Sequence, residues 1–166
     1  MTDALFLLQN RKNITTFNKQ PVPSDVLSEI LNCGRITPTG KHEQNWKYVV
    51  IKDNSIKYKL ASILKENYWE DAGVVIAFFS MPKPYYVEYS SASTEAMLVA
   101  ADNYKVGSYW HILHNEPLEK EIKALFNAPE EYSLMGLIAL GYYNFTLPSF
   151  EKHASLSEII IYDKFK

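Results

Sequence analysis

The feature that most constrains the fold is an uninterrupted apolar run at residues 74–79, which is rich in β-branched and aromatic side chains. A strand with one face in water alternates apolar and polar residues, whereas a strand covered on both faces can be apolar throughout. The run therefore predicts a strand at the centre of a sheet that carries other elements on both faces. Residues 134–141 have the same character and predict a second buried strand.

Helical patterns surround these two strands. Ser24 predicts the cap of a helix that Gly34 stops, and Ser55 predicts the start of another. Further helices are expected at residues 4–9, 92–104 and 118–126, and further strands at residues 46–52 and 158–162. This mixture predicts one α+β domain over residues 1–166, in which helices flank a central, mostly antiparallel or mixed sheet.

The composition and charge of the chain exclude several classes of protein. With 47% hydrophobic residues, 22% charged residues and a formal net charge of -2, the composition is neither that of a disordered chain nor that of a nucleic-acid-binding surface. The longest apolar stretch, residues 72–81, is shorter than the roughly 20 residues that cross a membrane. The first residues lack the basic start of a secretory signal, and a single cysteine agrees with a reducing compartment. We therefore expect a cytoplasmic protein without nucleic-acid or membrane partners.

Motifs for metals and nucleotides are missing from the sequence. No group of cysteines and histidines has the spacing of metal ligands, and the pair His111 and His114 lacks a third ligand. The phosphate loop of the GxxxxGK type and the GxGxxG dinucleotide fingerprint are also absent. The sequence thus predicts no metal site.

Three segments in the first third of the chain have an informative order and spacing. They are the string Arg11-Lys12-Asn13-Ile14-Thr15-Thr16-Phe17, the turn Pro21-Val22-Pro23, and the loop Pro38-Thr39-Gly40 followed by Gln44-Asn45-Trp46. Together they resemble the N-terminal signature of the FMN-dependent nitroreductase family, and residues 93–101, 106–110 and 137–142 extend the resemblance over nearly the whole chain. The resemblance implies a nitroreductase-like fold and an intertwined homodimer, with flavin sites at the subunit interface and a C-terminal extension that reaches the partner subunit.

The resemblance also implies where the phosphate of FMN is bound. Arg11 matches the family's arginine, and Asn13 can donate in place of the family's serine, with Lys12 between them. Thr15 stands where the family has a cation. Taken by themselves, an arginine and a lysine after a helix are more often a solvated surface turn.

A basic pair near the C-terminus is the family's second contact with the phosphate. Lys152 lies in the matching stretch, and His153 stands where an arginine is usual. An exposed tail is the alternative interpretation of this pair. Because Thr15 and His153 carry less charge at neutral pH than the residues they replace, we expect FMN to bind less tightly than in typical members, and loss of flavin during purification would agree with this.

Contacts with the flavin ring are implied at three places. The loop from the second subunit supplies Pro38, Thr39, Gly40 and His42, with His42 in place of the usual asparagine. Asn67 matches an asparagine that hydrogen-bonds the edge of the ring.

The third place is the backbone of residues 107–111, which meets the ring near its hydride-accepting nitrogen, where Trp110 and His111 flank it. Donors aimed at that edge stabilise the charge of the reduced flavin. A tryptophan and a histidine that end a helix are otherwise ordinary packing residues.

The implied activity is that of an FMN-dependent NAD(P)H oxidoreductase of the nitroreductase type. NADH or NADPH reduces the flavin, which then reduces an electron-poor small molecule such as a nitroaromatic or a quinone, so no side chain is needed as acid or base. Two alternatives stay open: a flavin-binding or flavin-free interaction protein on the same fold, and specialised flavin chemistry such as reductive dehalogenation. Tyr85, Tyr86 and Tyr89 either line the acceptor site or cover the sheet edge.

Overall fold

The structure, a computed structural model, describes residues 4–145 and 154–164. One antiparallel sheet lies at the centre of the described residues, with the strand order β1-β2-β4-β3. The strands are β1 (Trp46–Ile51), β2 (Val74–Ser80), β3 (Gly107–Ile112) and β4 (Ser133–Gly141). Every residue of β2 is buried, and so is every residue of β4 after the first. The two predicted central strands are therefore confirmed, and they pair with each other.

Helices cover both faces of this sheet, as the α+β prediction requires. They are α1 (Ala4–Asn10), α2 (Ser24–Arg35), α3 (Asn54–Leu64), α4 (Tyr68–Asp71), α5 (Tyr86–Asn103), α6 (Glu119–Leu125) and α7 (Leu156–Ile159), with a one-turn 3-10 helix at Gly40–His42. Helices α2 and α5 pack on one face, and α3, α4 and α6 pack on the other. In the part of the chain that the structure describes, no helix is long and apolar enough to cross a lipid bilayer.

The second predicted helix start is close to the observed one, but a different side chain provides the cap. The carboxylate of Asp53 accepts a hydrogen bond from the backbone nitrogen of Ser55 at 2.7 Å and so caps the start of α3. Lys65 ends that helix in the left-handed conformation with φ 57°. Ser24 is the first residue of α2 rather than its cap, and no side chain caps that helix.

Gly34 does not stop α2, because the helix continues to Arg35. A Cβ atom on Gly34 would approach Cγ of Met97 at 2.7 Å and the hydroxyl oxygen of Tyr48 at 3.0 Å. Both Gly34 and Met97 are buried between α2 and α5. The glycine therefore lets the two helices pack closely, and the prediction that it ends the helix is wrong.

The predicted strand at residues 158–162 is also wrong, since this segment begins with the short helix α7. The carboxylate of Glu158 accepts hydrogen bonds from the backbone nitrogen of Ser155 at 2.7 Å and from its hydroxyl at 2.8 Å. This arrangement favours a helix start. The apolar residues that follow have the pattern of a strand, so the sequence did not indicate the helix. The side chains of Leu156 and Ile159 remain exposed.

Candidate functional site

The N-terminal motif, residues 11–15, lies along the outer edge of β3. The backbone nitrogen of Ile14 donates to the carbonyl oxygen of Ser108 at 2.9 Å, and Asn13 forms a parallel bridge with Ser108. Ile14 and Phe17 are buried and fix the segment, whereas Asn13 and Thr15 are exposed. Because side chains alternate along an extended segment, Asn13 and Thr15 project from the same side of it.

Thr15 opens onto a depression of about 440 Å³, here called the polar cleft. Its lining residues are Thr15, Lys65, Glu66, Asn67, Tyr68 and Tyr109. The structure therefore brings together two predicted site residues, Thr15 and Asn67, which the sequence separates widely.

The other residues of the polar cleft were missed by sequence reasoning. Lys65 follows the end of α3 and supplies a cation to the depression that Thr15 lines. Its position two residues before Asn67 is the one feature of the sequence that could have pointed to this role. The rings of Tyr68 and Tyr109 meet edge to face with their centroids 5.1 Å apart. Burial, reinforced by Tyr109, raises the pKa of Tyr68, so its hydroxyl stays protonated at neutral pH.

Arg11 is paired with a residue of helix α5. Its Nε atom donates to Oε1 of Glu95 at 3.1 Å, and both side chains are partly exposed. The ion pair is formed through Nε. The two terminal amino groups of the guanidinium take no part in this pair. The residue predicted to bind a phosphate is thus held by a carboxylate of the same chain.

The 38–42 loop lies elsewhere on the molecule. Pro38 lines a depression of about 770 Å³ on the α2–α5 side, here called the apolar groove. The groove is lined mainly by small and apolar residues of three helices, including Leu7, Leu8, Cys33, Ala92, Ala96 and Val99, and by Ile36 just after α2. The apolar groove and the polar cleft share no lining residue. One chain therefore does not bring the loop and the polar cleft into one depression.

The backbone of the 38–42 loop is unusual. Lys41 and His42 both have φ 57°, a left-handed conformation that is disfavoured for residues with a Cβ atom. The backbone nitrogen of Gly40 donates to the hydroxyl oxygen of Tyr89 at 3.0 Å. Backbone strain of this kind is concentrated at binding sites.

Trp110 and His111 lie in strand β3 rather than at the end of a helix, and they face opposite layers. Trp110 packs against the α2–α5 core, whereas the ring of His111 meets that of Trp69 at 5.9 Å on the other face. Within one chain the two side chains are thus packed in different layers, and their place beside a flavin ring stays a prediction. Burial lowers the pKa of His111, so its imidazole is neutral at pH 7.

The tyrosines at the start of α5 differ in their surroundings. Tyr85 is exposed, while Tyr86 and Tyr89 pack against the α2–α5 core. The hydroxyl of Tyr86 also lies 3.0 Å from Nε2 of His114. These contacts favour packing for Tyr86 and Tyr89.

Comparison with known proteins identifies the fold. The model of the nitroreductase family matches residues 8–75, which include the N-terminal motif, the 38–42 loop and Asn67. An Archaeoglobus fulgidus protein with the provisional name NADH dehydrogenase/NAD(P)H nitroreductase is 25% identical over 150 residues, which are 86% of each chain. The resemblance to the nitroreductase family is confirmed.

A solved structure supports the same nitroreductase fold. The FMN-dependent nitroreductase of Clostridium difficile superposes with a TM-score of 0.89 at 19% identity, covering 97% of this chain and 99% of that one. A shorter match joins the chain to iodotyrosine deiodinase 1 of Rattus norvegicus, with 33% identity over 60 residues. That match covers 36% of this chain and 21% of the deiodinase.

Two family positions in this nitroreductase fold stay predictions. Lys152 and His153, matched to the C-terminal basic pair, lie outside the described residues. Among residues 4–145 and 154–164, no three side chains of His, Cys, Asp or Glu gather as a metal site.

Proposed function

We propose that the chain is an FMN-dependent oxidoreductase that takes electrons from NADH or NADPH and passes them to an electron-poor small molecule, such as a nitroaromatic or a quinone. The observation that carries the proposal is the polar cleft, which joins Thr15 of the N-terminal motif to Asn67. The names of the relatives add support, since they include an FMN-dependent nitroreductase and an NAD(P)H nitroreductase.

The side chains present suit a flavin mononucleotide. Asn13 offers an amide to a phosphate dianion and Thr15 a hydroxyl, while Arg11 offers the part of its guanidinium that the pair with Glu95 does not engage. Lys65 places a cation in the polar cleft, which offsets the charge that Thr15 lacks. Asn67 offers amide donor and acceptor atoms to the edge of a flavin ring.

A bound flavin supplies the electron transfer itself. The chain's residues then have to bind it, orient it and limit the access of water. The protonated hydroxyl of Tyr68 is a hydrogen-bond donor in the polar cleft. The imidazole of His111 is neutral and so adds no positive charge to the face of the sheet on which Trp69 lies. We assign these side chains to binding and orientation rather than to proton transfer.

The proposal includes a homodimer in which each flavin site is built from both chains. The 38–42 loop and the polar cleft are separate in one chain, which supports an arrangement in which a second copy brings its loop to the cleft. The apolar groove on α5 is open to a partner helix, and the nearby side chains of Leu8 and Ile36 are exposed by 57% and 61%. Burying such a surface against a second copy is favourable, because apolar side chains are removed from water. The exposed apolar residues of α7 provide a further surface for the partner.

The test is the visible absorption spectrum of the purified chain. It is recorded before and after FMN is added and unbound flavin removed, and then after anaerobic addition of NADH or NADPH to separate samples. We expect a retained yellow chromophore that at least one donor bleaches. A chain that stays colourless after saturation with FMN would contradict the proposal and favour an interaction protein on the same fold.

Reductive dehalogenation is a second candidate reaction, supported by the match with iodotyrosine deiodinase 1. In this reaction two electrons and one proton replace the carbon–halogen bond with a carbon–hydrogen bond, and the halide leaves. The reduced, FMN-loaded protein is mixed anaerobically with 3-iodotyrosine or with nitrobenzene. Iodide release in step with flavin reoxidation would assign dehalogenation, whereas reoxidation by nitrobenzene alone would exclude it.

A further inference from the structure

We propose that Tyr89 is a positioning residue that holds the 38–42 loop in the conformation in which it contacts the flavin ring. The role rests on the proposed function, because the loop is there assigned to the flavin site of the partner chain. Tyr89 itself acts through the backbone of Gly40 and not by touching the flavin.

The loop needs an external support. Lys41 and His42 both have the left-handed φ of 57°, and the hydrogen bonds inside the loop are long, at 3.3 Å from His42 to Thr39 and 3.3 Å from Glu43 to Gly40. A strained backbone persists only where its surroundings determine it. The backbone of the 38–42 loop therefore needs a contact from another element to hold it.

Tyr89 makes that contact. Its hydroxyl oxygen accepts the hydrogen bond from the backbone nitrogen of Gly40 at 3.0 Å. Among the described residues, this is the one hydrogen bond found between residues 39–42 and a side chain of another element. The loop is thus attached to α5 at a single polar atom.

Tyr89 is a firm reference point because it belongs to the longest helix of the described residues. It lies in α5, and its side chain packs against the α2–α5 core. Its ring also lies beside that of Tyr85, with centroids 6.1 Å apart. A hydroxyl carried on such a ring can fix the position of a short loop.

The fit between Gly40 and the hydroxyl is so close that a larger residue at position 40 would have to displace the hydroxyl. A Cβ atom on Gly40 would lie 2.6 Å from the hydroxyl oxygen of Tyr89 but 3.7 Å from the ring carbon Cζ, which is an ordinary contact. The φ of Gly40 is not positive, so alanine there conflicts with the hydroxyl rather than with the backbone. This difference gives the proposal a direct test.

The experiment compares flavin affinities of four proteins: wild type, Tyr89→Phe, Gly40→Ala and the double variant. Tyr89→Phe removes the hydroxyl and keeps the ring, so we expect FMN and riboflavin to bind about five- to tenfold more weakly, both by the same factor. The equal factor follows because the loop faces the ring and not the phosphate. Tyr85→Phe is the matched control, since its exposed hydroxyl has no hydrogen bond to the loop, and it should bind both flavins as wild type does.

The double variant separates positioning from general damage. Gly40→Ala should weaken flavin binding strongly in the Tyr89 protein but add little in the Tyr89→Phe background, where the clashing oxygen is gone. Hydrogen exchange of the Gly40 amide in the flavin-free proteins is a second readout, and Tyr89→Phe should speed it.

Each outcome decides between the two proposals. A wild-type protein that binds no flavin overturns the proposed function, and the positioning role with it. A wild-type protein that binds FMN, combined with unchanged affinities in Tyr89→Phe, overturns the role of Tyr89 alone. Additive effects of the two substitutions would likewise show that Gly40 and Tyr89 act independently.

Discussion

At the scale of single residues, the ion pair of Arg11 and Glu95 bears directly on the proposed binding of FMN. The sequence predicted a phosphate-binding role for Arg11 but gave no sign of Glu95, because only the packing of α5 brings the two together. The carboxylate lies 3.1 Å from Nε and adds a negative charge where a phosphate dianion would have to bind. Since both side chains are partly exposed, solvent limits the size of this effect.

Arg11→Ala tests the phosphate contact itself. We expect FMN affinity to fall by about 1.5–3 kcal/mol, because a charge-assisted hydrogen bond is lost, while riboflavin, which has no phosphate, binds as before. Quenching of flavin fluorescence measures both affinities. An equal loss for riboflavin would mean that Arg11 supports the fold of the site instead of binding the phosphate.

Glu95→Gln tests the competing charge. Glutamine can accept the same hydrogen bond from Nε but carries no charge, so we expect FMN to bind about two- to fivefold more tightly and riboflavin to be unaffected. The gain should shrink as salt is added. Glu88→Gln, at an exposed position of the same helix, is the control. Weaker FMN binding in Glu95→Gln would show that the carboxylate serves to orient Arg11.

At the scale of helices and strands, the prediction was most successful where burial produces a continuous run of apolar residues in the sequence. Strands β2 and β4 were recognised because a strand covered on both faces has no polar position. Gly34 was misinterpreted because a helix end and a close helix contact both select glycine, and local sequence does not distinguish them. The strand character of Trp110 and His111 depends on pairing with β4, which is a long-range contact that no local pattern contains.

The contact of α2 with α5 at Gly34 gives a prediction about stability. Gly34→Ala places a methyl group 2.7 Å from Cγ of the buried Met97, and we expect a net loss of about 1–2 kcal/mol, because overpacking outweighs the better helix propensity of alanine. Denaturant unfolding measures it. Ser28→Ala, at an exposed position of α2, is the control and should cost little. A Gly34→Ala protein as stable as wild type would mean that the two helices separate easily.

At the scale of the whole molecule, the sequence predicted a set of flavin-site residues but not how the fold arranges them. Thr15 and Asn67, which the resemblance assigned to the phosphate and to the edge of the flavin ring, share the polar cleft, whereas Lys65 and Tyr109 join it only through the turn after α3 and the pairing of β3. The 38–42 loop is separate from that cleft in one chain. This separation is the reason for proposing a site built from two chains, in which flavin binding depends on dimer formation.

Ala96→Glu tests this dependence, because Ala96 lies on α5 in the apolar groove. A carboxylate there would have to be desolvated against the second copy, so we expect the dimer to dissociate and FMN to be lost together. Sedimentation with detection of the flavin absorbance measures both at once, and dilution of the wild-type protein should release flavin over the same range in which monomers appear. Ser62→Glu, at an exposed position of α3, introduces the same charge away from the groove and should leave a flavin-loaded dimer. A monomeric Ala96→Glu protein that retains FMN would contradict a site built from two chains, since the polar cleft would then bind the flavin without the partner's loop.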